Sequence, residues 1–408
     1  MANSVNTHRK LWTGTPVWTL ERKPSTQHRA LGRDLHTEVL VIGSGISGAL
    51  VAERLTDLGF DVAIVDRRAP LEGSTSASTA LLQYALDTPL STLARSIGDA
   101  KAERVWRRSR AVVAALAERT TRLGIDAELT PREGLYLSGE LLDAKALERE
   151  ARARTRIGLE VELIRRGQLK RDYGLRHAAA LRSAGDYVAD PRKLAAGYLR
   201  VARERGAHLF SPVEIVSVRE NRLGVTAATR QGQTLRARWV VFCTGYEVAA
   251  GLRARGHTIQ STWVITTRPQ RRRLWPTECM IWEATAPYLY LRTTSDGRVI
   301  CGGGDEAFSD ESKREQRSPE KYRYLERRLH ELLPELDSRA DVAWAGTFGA
   351  SKLGLPIIGR IPGTRRQLTV LGCGGNGITF SMLASQILSS TILGDEDRDA
   401  DLFTPHRD

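Results

Sequence analysis

Val39-Leu-Val-Ile-Gly-Ser-Gly-Ile-Ser-Gly-Ala-Leu-Val-Ala-Glu-Arg-Leu-Thr-Asp-Leu-Gly-Phe-Asp-Val-Ala-Ile-Val-Asp66 reads as strand, glycine turn, helix and strand, in that order. The run Val39 to Ile42 is continuously apolar, as a strand buried on both faces must be. Gly43-x-Gly45-x-x-Gly48 follows at once, and Leu50, Val51, Leu55 and Leu58 then recur on one helical face. A second strand, Val62 to Val65, ends at Asp66. A glycine triplet alone is a weak signal. Between a strand and a helix, with an acid closing the next strand, it becomes a dinucleotide fingerprint. Gly43 permits the tight turn, Gly45 lets a pyrophosphate approach the backbone, and Gly48 lets helix pack on strand. The helix start favours anions through its unpaired N–H groups and its dipole. Asp66 is placed to accept hydrogen bonds from an adenosine ribose.

The chain has 408 residues, enough for a large core and two domains. Its composition, 41% hydrophobic and 27% charged, is that of an ordinary globular protein. The net charge of +13 raises the question of nucleic acid. The basic residues are spread along the whole chain, however, and Arg271-Arg272-Arg273 is the one dense run, so a solvated face explains them better than a binding stripe. The four cysteines, Cys243, Cys279, Cys301 and Cys373, form no CxxC pair. They suggest neither a disulfide framework nor a zinc site, and they fit a reducing cytoplasm. The eight histidines show no metal-ligand spacing, so no metal residues are assigned. Met1 to Pro16 lacks an apolar signal core, and no apolar run reaches the ~18 residues of a membrane span; Ile378 to Leu393 is too short and carries four serines and two threonines.

The expected organisation is an irregular N-terminal arm, 1–36, followed by the nucleotide-binding start. Helices are expected over 100–123, 143–157, 191–206 and 318–333. Strands are expected at 134–137, 213–218, 224–229 and 237–243, with short β runs from 259 to 303. A compact nicotinamide dehydrogenase would continue strand–helix–strand without a break after its fingerprint. This chain leaves that pattern and returns late to strand-plus-glycine signals at 239–245 and 368–377. A nucleotide domain assembled from separated segments is a feature of large FAD proteins.

Four pieces carry a resemblance: the fingerprint 39–66, the hydroxyl-rich Gly73-Ser-Thr-Ser-Ala-Ser-Thr-Ala-Leu-Leu82, Val240-Val-Phe-Cys-Thr-Gly245, and Gly354-Leu-Pro-Ile-Ile-Gly359 with Gly372-Cys-Gly-Gly-Asn-Gly-Ile378. In this order, over roughly 37–395, the chain resembles the FAD-dependent oxidoreductases of the D-amino-acid oxidase, glycine oxidase and sarcosine oxidase family. The resemblance implies an α/β fold. A Rossmann-like FAD-binding domain would be built from 37–90, 165–250 and 340–408. A second, α+β substrate domain with a mixed or antiparallel sheet would be built from 91–164 and 251–339. It implies non-covalent FAD held by Gly43, Gly45, Ile46, Ser47, Gly48, Asp66 and Arg67, by Ser74, Ser76, Ser78 and Thr79, by Val213, Thr244 and Gly245, and by Gly374, Gly375, Asn376, Gly377, Ile378 and Thr379. A helix starting near Asn376 would aim its dipole at the flavin edge that turns anionic on reduction, an effect of ~1 kcal/mol or more.

The chain also departs from that pattern. The arginine that grips the substrate carboxylate in glycine-oxidase-like members falls at Phe348, a second one at Gly375, and the lysine of sarcosine-oxidase-like members at Thr379. The cysteine used for covalent flavin attachment in some members falls at Gly346. A buried carboxylate wants a bidentate arginine, so another cation must have taken over or the substrate is not a simple amino acid. Strand alternation puts Tyr288, Tyr290 and Arg292 on one face. These three and Lys352 are the candidate catalytic and substrate-binding residues, with Phe348 as an apolar wall. The expected function is oxidation of a C–N bond of an amine or amino-acid-like small molecule, by hydride transfer to the flavin and reoxidation by O₂ or another acceptor. The alternatives are a dehydrogenase of a hydroxy acid or polyol with a non-oxygen acceptor, and a basic RNA-binding flavoprotein.

Overall fold

The fingerprint strand, Leu35–Ile42, is where the two halves of the first core meet. Val39 and Val41 project into one apolar cluster and Leu40 and Ile42 into another, so the strand is buried on both faces. The computed structural model describes residues 10–247 and 257–405. Arm residues 1–9, the stretch 248–256 at the proposed domain seam, and 406–408 at the end of the last nucleotide segment lie outside the described residues.

The fingerprint strand is the middle one of five parallel strands in the spatial order Gln367–Leu371, Thr234–Phe242, Leu35–Ile42, Val62–Val65, His208–Phe210. Ile357–Arg360 adds antiparallel at one edge, and the hairpin strands Ile215–Glu220 and Val225–Thr229 extend from Thr234–Phe242, making eight strands. Helices Ile46–Asp57, Pro191–Glu204 and Gly377–Leu393 cover one face. Pro191–Glu204 starts as the sequence suggests: Asp190 accepts hydrogen bonds from the Arg192 and Lys193 amides, and proline occupies the first turn.

The second sheet has ten strands. Its path runs Trp12–Gly14, Ala340–Ser351, His257–Thr267, Val299–Glu306, Leu289–Thr293, Met280–Glu283, Thr130–Leu137, Ala179–Val188, Leu81–Leu82, with Val161–Arg165 paired to Ala179–Val188. Only Met280–Glu283 and Thr130–Leu137 run parallel, so the sheet is mixed, as expected. Helix Glu311–Leu332 packs on it through Leu325, Leu329 and Leu332.

Two features of this sheet differ from the sequence reading. Ala179–Val188 and Ala340–Ser351 fall in segments given to the nucleotide domain, yet both belong to the second sheet. Their antiparallel partners, Thr130–Leu137 and His257–Thr267, are distant along the chain, and local pattern carries no trace of such pairing. Nor is the arm irregular throughout. Trp12–Gly14 pairs with Trp344–Gly346, and a short 3₁₀ turn, Val17–Thr19, follows. The helix read as 318–333 begins at Glu311, where Asp310 caps it by accepting from the Lys313 amide, and Pro319 sits inside it.

Three helices are tied together by one buried acid. Glu53, 1% exposed, accepts from Arg119 at 2.8 and 2.5 Å and from Arg205 at 2.5 Å; Arg119 also meets Asp57 at 2.7 Å. Removing one partner of a buried ion group strands the other charges. Glu53→Gln is expected to lower the unfolding free energy by about 3 kcal/mol, read as a lower urea midpoint at unchanged slope.

Candidate active site

The glycines of the fingerprint do what their spacing requires. Gly43 sits at φ +110°, where a Cβ would lie 2.3 Å from the Cys243 carbonyl oxygen, and a Cβ on Gly48 would lie 1.8 Å from the Gly43 oxygen. Gly45 is different: its added Cβ meets only the Thr75 hydroxyl, at 3.0 Å. Its backbone faces open space, the room a pyrophosphate needs. A small cavity of about 80 Å³ lies here, lined by Gly43, Gly45, Asp66, Arg67, Val213 and Thr244. It shares Ile46, Ser47, Ser74, Thr75 and Gly245 with a larger cleft of about 430 Å³. The larger cleft is also lined by Ser78, Thr79, Gly374, Gly375, Gly377 and Ile378. The elongated, two-part space fits a dinucleotide with one end at Asp66 and the other at the helix Gly377–Leu393. That helix has no side-chain cap at its start, and the Asn376 Oδ1 at its cap is buried without a partner. The anion-attracting N–H groups of its first turn therefore open on the cleft.

Four of the expected cofactor residues are not in either cavity wall. Gly48 is packed under the turn. Ser76 donates to the Leu71 carbonyl at 2.5 Å. The Asn376 amide donates to the carbonyls of Gln83 and Ala85, and the Thr379 hydroxyl to Gln83, at 2.9 to 3.3 Å. Their job is to fix the glycine loop and helix start against 83–85. Asp66 is already engaged, accepting from the Ser44 amide and hydroxyl at 2.7 Å each and from the Arg68 amide at 2.9 Å. A carboxylate has about four acceptor positions, so one remains for a ribose hydroxyl. Burial raises the Asp66 pKa, against those hydrogen bonds. The Arg67 guanidinium turns to Glu247, a buried acid of the adenosine-end cavity that also holds Arg68 at 2.7 and 2.8 Å. Glu247 was not legible in the sequence; only its position two residues past Gly245 pointed to it.

Arg292, expected as a substrate residue, falls outside the cleft wall. Tyr288 and Tyr290 line the cleft, but Arg292 lies beyond it, 3% exposed, stacked 5.3 Å from the Trp18 ring. Its guanidinium donates to the carbonyls of Thr293, Thr79, Ala80 and Ala189 at 2.9 to 3.3 Å. Two indoles join it. Trp344 donates to the Ala77 carbonyl at 2.9 Å and Trp18 to the Ser78 carbonyl at 2.7 Å. Four consecutive carbonyls of the hydroxyl-rich loop, 77 to 80, are thus gripped by three buried side chains. Alternation gave the correct face for Arg292 but not its place along that face.

Besides the tyrosines, the cleft wall holds Lys352, whose side chain is exposed, Phe348, and the acids Asp87, Glu283 and Asp305. The rings of Tyr288 and Tyr290 stand 5.8 Å apart. In the run Gly302-Gly303-Gly304, the first two let their strand approach closely: a Cβ on Gly302 would lie 2.3 Å from the Tyr290 hydroxyl and one on Gly303 2.1 Å from the Tyr288 carbonyl oxygen. Burial pushes both phenols well above their ordinary pKa, so they stay protonated. Asp305, just after the glycines, is pushed up to about 6, chiefly by burial. Phe348 stands in the wall as expected. At Gly375 the space beside the Cα is taken by Asp87, whose carboxylate would lie 2.9 Å from an added Cβ and accepts from the Gly375 amide at 3.0 Å.

The family model for FAD dependent oxidoreductases matches residues 38–391. The chain belongs to that family. Among curated relatives, gamma-glutamylputrescine oxidoreductase of Escherichia coli is 24% identical over 389 residues, covering 92% of this chain and 88% of that protein. Glycine oxidase of Geobacillus kaustophilus is 26% identical over 376 residues, covering 87% and 92%. The solved glycine oxidase from G. kaustophilus superposes with a TM-score of 0.75 at 23% identity, covering 92% of this chain and 99% of that one. L-proline dehydrogenase from P. horikoshii superposes at 0.77 with 20% identity, covering 92% and 98%. The protein is an FAD-dependent oxidoreductase with a small-molecule substrate, and the two-part cavity is the place in this fold that fits FAD. No helix among the described residues is long and apolar enough to cross a membrane.

Two outcomes are expected. Arg292→Ala leaves four carbonyls without a buried donor, so it should cost about 2–4 kcal/mol of stability and weaken FAD retention, with little change in which amines bind; thermal melting and FAD release check this. Asp305 holds its proton more tightly folded than unfolded, so stability should fall as pH rises from about 4 through about 6. Asp305→Asn should remove that part of the slope, seen as a smaller difference in melting temperature between pH 4.5 and pH 7 than in the parent.

Proposed function

We propose that the protein oxidises a carbon–nitrogen bond of an amine that is not a simple α-amino acid. The observation that carries this reading is the charge of the cleft beside the glycine loop. Phe348 and Asp87 occupy the two places where a carboxylate grip was expected, and Lys352 is the sole cation in the wall among the described residues. Burying a substrate carboxylate beside a phenylalanine and an aspartate without a paired cation would cost several kcal/mol. The names of two relatives, a gamma-glutamylputrescine oxidoreductase and a glycine oxidase, agree with C–N chemistry.

FAD, bound without a covalent link, supplies the two-electron acceptor, which is why the chain itself needs no acid–base dyad. Tyr288 and Tyr290 act as neutral donors and acceptors that orient the amine, Phe348 supplies an apolar wall, and Lys352 contributes a charge at the cleft's edge. The uncapped helix start at Gly377 stabilises negative charge at the far side. The four free, buried cysteines support a cytoplasmic setting.

Anaerobic mixing with a panel of primary and secondary amines should bleach the flavin fastest with bulkier or non-acidic amines and slowly with glycine, sarcosine and D-alanine. Peroxide on re-aeration at turnover rates identifies O₂ as acceptor. Bleaching by hydroxy acids or polyols, with none by amines, would overturn the reading.

A further inference from the structure

Asp305 is a buried carboxylate without a salt bridge among the described residues. Both its oxygens are closed to solvent, and neither meets a cation or a backbone N–H in an ion pair or hydrogen bond among the described residues. The hydroxyls of Thr262 and Tyr288 are the polar groups that approach it, and Tyr288 stands in the cleft wall. The cation that acts on it, Lys321, is committed elsewhere: its Nζ donates to the Gly304 carbonyl at 2.7 Å, meets Glu306 at 2.9 Å, and lies 4.8 Å from the Trp263 ring centre. Asp87, in the same cleft, holds a single hydrogen bond and adds its charge to the field felt by Asp305 and Tyr288. Glu283 shows what a balanced acid looks like here, since Arg328 holds both its oxygens at 2.9 and 3.0 Å.

We infer that the cleft is built for an amine carrying a second positive charge, a linear diamine in its simplest form, and that Asp305, assisted by Asp87, selects for that charge. This rests on the amine reading above and narrows it. Asp305 is a positioning residue. A carboxylate behind Tyr288 draws the phenol proton toward itself and leaves the phenolic lone pairs for an N–H donor in the cleft. Neither acid forms a salt bridge among the described residues, so both favour a cation over a neutral or anionic group at the same spot, Asp305 the more because its oxygens are closed to solvent and little screened, while Asp87 is exposed.

The test uses three molecules of matched length, 1,4-diaminobutane, n-butylamine and 4-aminobutanoate, titrated calorimetrically into anaerobically reduced holoenzyme, where no oxidation follows binding. The diamine should bind about tenfold tighter than butylamine, and 4-aminobutanoate weakest. Asp305→Asn should bring the diamine-to-butylamine ratio to within about threefold, Asp305→Glu should keep most of it, and Asp87→Asn should reduce it. Equal or tighter binding of 4-aminobutanoate by the parent protein, no binding of any of the three at about 10 mM, or an unchanged ratio in a folded Asp305→Asn, would overturn the inference. A poorly folded Asp305→Asn leaves the parent series and Asp87→Asn to decide it. If the charge order holds while no amine bleaches the oxidised flavin, the reaction assigned above fails and the charge selection stands.

Discussion

The grip on the carbonyls of Ala77 to Ala80 is the constraint on which the rest of the site depends. A loop with four adjacent unpaired carbonyls cannot be buried without donors, and the N–H groups of a sheet cannot reach it. Trp344, Trp18 and Arg292 supply them, from a strand next to the sheet's edge, from the arm and from the middle of the ten-stranded sheet. The donors belong to the second sheet and to the arm paired with it, while Thr75 of the same loop accepts from the Ile46 amide of the fingerprint helix, so the loop is fixed to both halves. Ser78 and Thr79 are thereby held between the two sheets, where the cleft opens. The same segment continues to 83–87, where Asn376, Thr379 and the Gly375 amide attach it to the helix start. The single stretch 73–87 thus sets the spacing between sheet, glycine loop and helix dipole.

This explains what the sequence could and could not tell. The fingerprint was legible because each requirement is local: a glycine at positive φ, a missing Cβ under a carbonyl, an acid at the end of the next strand. The mixed sheet was legible from short β runs. The arm's place in it was not, because Trp12–Gly14 finds its partner, Trp344–Gly346, near the other end of the chain. Arg292 marks the same limit at a finer scale. A period of two assigns a side chain to a face, while its neighbours on that face come from other strands and loops. Here the neighbours of Arg292 are Trp18 and the loop carbonyls, and those of Tyr288 are the cleft.

The residues that reasoning missed share a cause. Glu247, Asp87 and Asp305 sit beside motifs rather than in them, and an acid in a loop or at a strand end is ordinarily a solvated one. A signal did exist for Asp305, in the three glycines before it. Such a run in a strand weakens it and marks close approach of something bulky; here that is the Tyr290 ring and the Tyr288 backbone. Asp305 follows directly on those glycines, beside the tyrosines they approach.

A buried acid without a partner is not by itself a sign of function, and this molecule contains the control. Asp186 is fully buried, has one unpartnered oxygen and is pushed up to about 7. Yet its other oxygen accepts from the Tyr84 amide, Arg110 and Arg154 act on it, and it lies outside both cavities. Its burial is explained by what it ties together. Asp305 faces only the hydroxyls of Thr262 and Tyr288, with no backbone N–H, and its one acting cation is engaged by Glu306. Burying a carboxylate this way opposes folding, and an apolar residue of similar size would be more stable there. What separates the two acids is position, since only Asp305 adjoins space that a ligand can enter. The stability lost at Asp305 is returned when a cation enters that space, which makes the acid a binding feature and leaves Asp186 a structural one.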